Sequence, residues 1–171
     1  CLVGSEMCIR DRPYGESPVS TAMGAYFNKK AYTDPALRRK YTRMGFWVNI
    51  RLIRYPDVLL MAAESANEKG LMGEASGYLE QVRAHARGTL PNVLPKVESL
   101  DQSVLREAIR HERRVELGLE PDRFYDLVRW GIAQEVLQAA GKNYQPKNAL
   151  LPLPQTEIDK SNGVLVQNPD Y

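Results

Sequence analysis

Apolar residues recur at helical spacing in the middle of the chain, and they predict a helix hairpin over about 56–88. The first helix begins at Pro56, whose missing N–H needs no partner in a first turn, and it ends at Gly70. The second helix ends at Gly88. It carries one apolar stripe, formed by Ala75, Leu79, Val82 and Ala86. Because so short a connection joins them, the two helices must be antiparallel and pack on each other.

The hairpin has the length of one tetratricopeptide unit of ~34 residues, and such a pair needs other helices to cover it. Two more helical regions are predicted over about 101–118 and 121–140, and Gly131 is a point where the second can break or kink. The tail, 147–171, is punctuated by prolines and should lie extended apart from one turn near 154–160. The pattern predicts a mainly α fold of tetratricopeptide-like helix pairs with an extended, proline-containing C-terminal tail.

The first 12 residues, Cys1–Arg12 (CLVGSEMCIRDR), have no usable periodicity. They lack the charged start, apolar core and small-residue cleavage site of a signal peptide. They look like translated sequencing-adapter read-through, and we expect a non-native leader before a body of residues 13–171. A lipid-bearing Cys1 is the alternative interpretation, but nothing precedes it to act as a signal.

Composition and charge narrow the possible partners. The 171 residues suffice for one domain, and 43% hydrophobic with 26% charged residues is typical of a globular protein. The net charge of +2 is too balanced to favour nucleic acid. The longest apolar run, Val58–Ala63, is too short to cross a bilayer.

Candidate catalytic and metal-binding residues do not form a known motif. His111-Glu112 begins like the zinc-protease signature, but Val115 stands where the second histidine is needed, and His85 lies on another predicted helix. No nucleophile elbow or phosphate-binding glycine loop is present in the sequence. We therefore predict a protein that is not an enzyme, with no catalytic residues, no bound metal and no cofactor.

Charged residues in the last two predicted helices form an unusual pattern. Glu112 and Glu116 continue the apolar stripe of Leu105 and Ile109, and a buried carboxylate needs a partner because an unpaired charge costs several kcal/mol. We predict a structural polar lock formed by Glu112, Glu116, Arg123, Asp126 and Arg129. In it, Arg123 or Arg129 pairs with Glu112 or Glu116. The alternative is an acid/base pair like that of glycosidases, although two carboxylates one turn apart on a helix repel each other.

Aromatic residues supply the candidates for ligand binding. Trp47, Tyr41 and Tyr26 lie in irregular or extended sequence and are weak candidates for contacting a ligand. Trp130 ends a stripe with Phe124 and favours core packing instead.

Several segments in the same order resemble the SusD/RagB family of outer-membrane nutrient-binding lipoproteins. The matching segments are Leu52–Asn67 (LIRYPDVLLMAAESAN), Val82–Gly88, Ala108–Leu117 (AIRHERRVEL), Arg123–Gly131 (RFYDLVRWG), Leu150–Ile158 (LLPLPQTEI) and Gln167–Tyr171 (QNPDY). The family ending usually reads Gln-Asn-Pro-Gly-Tyr, and Asp170 replaces the glycine here.

This resemblance implies that 13–171 is the C-terminal part of a helical domain of that family. The intact protein would be a lipoprotein on the outer face of the outer membrane. It would bind glycans or peptides and deliver them to a SusC-like TonB-dependent transporter. The lipid anchor would lie upstream and be missing from this fragment. Ligand contacts vary within the family, so none is carried over.

Two other function classes stay open. A tetratricopeptide-type interaction adaptor explains the hairpin but not the tail, and an exposed concave groove would favour it. A carbohydrate-active enzyme needs opposed carboxylates in a cleft, and a solvent-facing Glu112 or Glu116 would favour that class.

We predict that residues 1–12 make no stable contacts with the body, because that segment has no amphipathic pattern, and that deleting them leaves the thermal midpoint unchanged. Thermal unfolding of the full and shortened chains measures this. A loss of several degrees would show that the segment belongs to the fold.

Overall fold

The structure is a computed structural model that describes residues 8–9, 27–28, 51–90 and 93–171. The chain divides into two compact units, Cys1–Glu120 and Pro121–Tyr171. In these residues nearly all regular structure is helical, which confirms the mainly α fold class. Every helix in 51–90 and 93–171 is too short or too polar to span a membrane.

Two short strands precede the helices. β1 (Cys8–Ile9) pairs antiparallel with β2 (Phe27–Asn28), and Cys8 lies opposite Asn28. This pairing joins the predicted leader to the predicted body and contradicts the prediction that the leader makes no contact with the body. The leader interpretation itself stays a prediction.

The hairpin predicted over about 56–88 consists of α1 (Tyr55–Glu68) and α2 (Met72–Arg87). Gly70 turns the chain between them with a φ of +78°, a conformation that L side chains rarely adopt. Small side chains let the two helices approach closely, and Ala63 and Ala75 are both fully buried at the contact.

The helix predicted over about 101–118 is α3 (Gln102–Glu116). Asp101 caps it, because its carboxylate accepts the backbone N–H groups of Ser103 and Val104 at 2.9 and 3.0 Å. Leu105 and Ile109 add their side chains to the core of the hairpin.

An amide exchange ties the start of α3 to the end of α1. The side chain of Asn67 donates to the carbonyl of Gln102 at 3.0 Å, and Gln102 donates back to the carbonyl of Asn67 at 2.7 Å. Asn67 is fully buried, so the exchange satisfies its side-chain N–H and its backbone carbonyl, which have no access to water. In the described part of the first unit, a third helix is therefore fixed against the hairpin.

The second unit begins with α4 (Asp122–Arg129) and α5 (Ala133–Ala139). The single helical region predicted over 121–140 is thus two helices, and the break is at Gly131, whose φ is +71°. A small core of Leu127, Ala133 and Tyr144 holds this unit together.

The tail contains a 3₁₀ helix (Pro146–Ala149) and α6 (Gln155–Lys160), with extended chain around them. Its last residues fold back on its first. The side chain of Gln167 exchanges two hydrogen bonds with the backbone of Leu153, and the Tyr171 hydroxyl donates to the carbonyl of Leu150 at 2.9 Å. The terminal segment therefore closes a loop.

Candidate functional site

The C-terminal half of α3 carries a charged cluster that reaches three other segments of the first unit. We call Glu112, Arg113 and Glu116 the charged turn. Glu112 and Arg113 are both buried, at 2% and 5% exposure. Charged groups leave water only where an opposite charge and hydrogen bonds replace it, so the partners of this turn determine what it can do.

Glu112 pairs with Arg83 of α2. The Arg83 guanidinium donates to the carboxylate at 2.6 Å, and the two side chains are only 12% and 3% exposed. Arg83 also donates twice to the carbonyl of Pro95, at 2.9 and 3.3 Å. It therefore joins α2, α3 and the connection between them.

Burial raises the pKa of Glu112 above its ordinary value, and the charge and hydrogen bond of Arg83 oppose this effect without cancelling it. The carboxylate has lost more stabilisation from water than one guanidinium restores. Folding therefore disfavours the ionised form of Glu112 relative to its protonated form.

Arg113 pairs with Asp57 in the first turn of α1. The guanidinium donates to the carboxylate at 2.8 Å, and the side chains are 5% and 12% exposed. Asp57 also lies where the helix dipole favours a negative charge. This contact fixes the start of α1 against the end of α3.

Arg54 precedes α1 and binds the end of α3. Its guanidinium makes two hydrogen bonds to the carboxylate of Glu120, at 2.8 and 3.0 Å, and it donates to the carboxylate and the carbonyl of Glu116 at 3.0 Å. Burial lowers the pKa of Arg54, but the hydrogen bonds to Glu120 and Glu116 outweigh it and raise the pKa. The planar guanidinium suits this arrangement because it can bind two oxygens at once.

Glu112 and Glu116 therefore each have an arginine from another segment, and those arginines are Arg83 and Arg54. The sequence pattern did not indicate Arg83 or Arg54 as a partner of these carboxylates. A signal was present for Arg83, because it follows Leu79 by four residues and so continues an apolar stripe, as Glu112 does on α3.

In the second unit, Arg129 of the predicted lock donates to Asp126 at 2.9 Å. The pairing of Glu112 or Glu116 with Arg123 or Arg129 stays a prediction.

The geometry of the charged turn favours a structural role over acid–base chemistry. A general acid or base must reach a substrate, and the Glu112 side chain is almost completely buried against Arg83. The Glu116 side chain is 15% exposed and held by Arg54. Neither carboxylate faces solvent in the way that the enzyme alternative requires.

Trp130 is half-buried and lies beside two guanidinium groups. The guanidinium carbon of Arg129 is 4.8 Å from the centre of the indole ring, and that of Arg123 is 5.8 Å away. These are cation–π distances. Arginines thus occupy the ring surface on which a sugar would stack.

A groove of about 420 Å³ runs along α2, beside the connection that leads to α3. Its lining includes Ser76, Glu80 and Lys96. Within residues 51–90 and 93–171, no group of three or more metal-ligating side chains comes together. The three aromatic candidates Trp47, Tyr41 and Tyr26 lie outside the described residues.

The sequence profile of the SusD family matches residues 3–171, almost the whole chain. This chain belongs to the SusD family. The resemblance drawn from the short sequence segments is thereby confirmed.

Individual relatives agree with this assignment. A SusD-like protein of Formosa agariphila is 38% identical over 124 residues, which cover 68% of this chain and 23% of that protein. The solved structure of surface glycan-binding protein A from Bacteroides thetaiotaomicron is similar with 30% identity and a TM-score of 0.66, over 86% of this chain and 31% of that one. A SusD homologue from the same organism gives 29% identity and a TM-score of 0.63, over 78% and 30% of the two chains. The chain thus spans about a quarter of the length of its SusD-like relative from Formosa agariphila.

We predict that the two partners of the Glu112–Arg83 pair respond unequally to substitution. Arg83→Met leaves a carboxylate buried without its guanidinium, so it should lower the free energy of unfolding by ~3–5 kcal/mol at neutral pH. Glu112→Gln should cost less, because the raised pKa shows that the ionised form is already disfavoured.

The pH dependence of these two stability costs supplies the control. The pKa of Glu112 is higher in the folded state than in the unfolded state, so the folded state binds more protons. The contribution of Glu112 to stability therefore falls as the pH rises from the ordinary glutamate pKa through the raised pKa. The cost of Arg83→Met should therefore shrink in acid, as measured by chemical denaturation. Equal costs for both variants at every pH would contradict the assignment.

Proposed function

We propose that this chain is part of a cell-surface glycan- or nutrient-binding lipoprotein that delivers its ligand to a TonB-dependent outer-membrane transporter. The observation that carries the proposal is the SusD family match over residues 3–171. Similarity to the solved structure of a surface glycan-binding protein over 86% of this chain also supports it.

Binding without catalysis is supported by the state of the carboxylates. Hydrolysis of a glycosidic bond uses two carboxyl groups that flank the bond. The two candidates from the sequence, Glu112 and Glu116, are instead bound to Arg83 and Arg54 within the first unit. Their role in the proposed function is to fix the helices that support a binding surface.

The ligand contacts of the intact protein would come only in part from this chain, since the shared region covers only 23% and 31% of two related proteins. Within this chain we propose Trp47, Tyr41 and Tyr26 as contacts. Aromatic rings can stack on the apolar faces of sugars, and these three lie in irregular or extended sequence.

The proposed location is the outer face of the outer membrane, and the proposed partner is a SusC-like transporter. A tetratricopeptide-type adaptor would also use a helix hairpin with a groove, but it gives no reason for the closed C-terminal loop that Gln167 and Tyr171 tie down. Co-purification of the intact protein with a TonB-dependent transporter from outer membranes would support the partner.

We predict that the full-length protein binds at least one glycan or peptide of a broad panel and releases no product from it. Binding is measured by calorimetry and turnover by chromatography of the incubated ligand. Trp47→Ala should weaken binding, because it removes a ring that stacks on the ligand.

Glu112→Gln is the matched control and should leave binding unchanged, since Glu112 is buried against Arg83. Reproducible product that disappears in this variant would overturn the proposal and restore the enzyme alternative. No binding to any member of the panel would count against a nutrient-binding role.

A further inference from the structure

The groove along α2 has a wall that the helices hold in place. That wall belongs to the connection between α2 and α3, and Arg83 and Arg87 both donate hydrogen bonds to its carbonyl groups. The Arg87 guanidinium reaches the carbonyl of Leu94 at 2.6 and 2.9 Å. Leu94 has a φ of +51°, a left-handed conformation uncommon for a non-glycine residue. The arginines thus hold the wall in one shape.

The floor of the groove is the surface of α2 where side chains are smallest. Gly73 and Gly77 both line it, and a Cβ built at either position would meet no atom within 4 Å. The helix gains no packing from these glycines, and glycine inside a helix costs about 1 kcal/mol relative to alanine. Their effect is to leave open space, and the groove of about 420 Å³ lies within the usual size range of small-ligand sites.

Within the part of the chain that the structure describes, the polar groups of the groove include one positive charge without a partner. The carboxylate of Glu80 is already bound by two nitrogens of Arg87, at 2.9 and 3.3 Å. The ammonium group of Lys96 and the amide of Gln81 have no partner among the described residues. The hydroxyl of Ser76 lies 3.5 Å from the carbonyl of Val97, which is a long contact for a hydrogen bond.

We propose that this groove binds a short acidic oligosaccharide. A sugar carboxylate would pair with Lys96, and sugar hydroxyls would bond to Gln81 and Ser76. The ligand is a saccharide because the groove offers hydroxyl and amide groups around a floor without bulky side chains. It is acidic because a carboxylate complements the ammonium group of Lys96, which has no partner in residues 51–90 and 93–171. This inference rests on the proposed function, and it adds a site and a ligand class to it.

Trigalacturonic acid and the neutral trisaccharide maltotriose serve as matched probes of the full-length protein. Trigalacturonic acid should bind and protect residues 72–87 and 93–101 from hydrogen exchange. Lys96→Gln should weaken its binding roughly tenfold, the effect of losing one charge-assisted hydrogen bond. Lys142→Gln, in the other unit, should have no effect.

Gly77→Leu should abolish that protection without lowering the thermal midpoint. The added side chain fills the open floor, and leucine is a better helix former than glycine. This variant therefore separates loss of the site from loss of the fold.

Four outcomes would overturn the inference. Trigalacturonic acid could bind without protecting either segment, or both groove variants could leave its binding unchanged. Maltotriose could bind as tightly as trigalacturonic acid and lose no affinity in Lys96→Gln, which would contradict an acidic ligand. A triglutamate peptide could bind equally well, which would contradict the saccharide. In contrast, failure of the full-length protein to bind any glycan or peptide would count against the proposed function itself.

Discussion

The burial of opposite charges at the end of α3 is the constraint on which the first unit depends. Glu112 and Arg113 are neighbours in sequence and both are buried, yet each is neutralised by a different helix. Arg83 of α2 binds the first and Asp57 of α1 binds the second. Because one buried charge without a partner costs several kcal/mol, α3 is stable only where both partners lie within reach. Apolar packing is non-directional and would tolerate other positions of the helix.

The same pairs connect the core to the candidate binding surface. Arg83 bonds to Glu112 on one side and to the carbonyl of Pro95 on the other, so the position of α3 also sets the wall of the groove. Arg87 bonds to Glu80 of its own helix and to the carbonyl of Leu94, so it holds the wall against α2.

The sequence predicted the helices well because their signals are local. Periodicity, Pro56, Gly70 and Gly88 placed the hairpin, and Gly131 marked the point at which α4 and α5 separate. The ion pairs were harder to predict than the helices. Glu112 stood out because it continues an apolar stripe with a charged side chain, but its partner Arg83 is 29 residues away, and one sequence gives no rule for pairing side chains across helices. The groove was not anticipated, since Gly73 and Gly77 acquire meaning only when a wall is placed beside them.

A double-mutant cycle on Asp57→Asn and Arg113→Met tests the central claim most directly, by chemical denaturation of the full-length protein at neutral pH. We expect each single variant to lose ~3–5 kcal/mol and the double variant to lose clearly less than the sum, because it leaves no charge buried alone. The exposed pair of Glu68 and Arg106, 2.7 Å apart, is the matched control and should show little coupling. Near-neutral single variants that add without coupling would contradict the claim that buried charge pairs position α3.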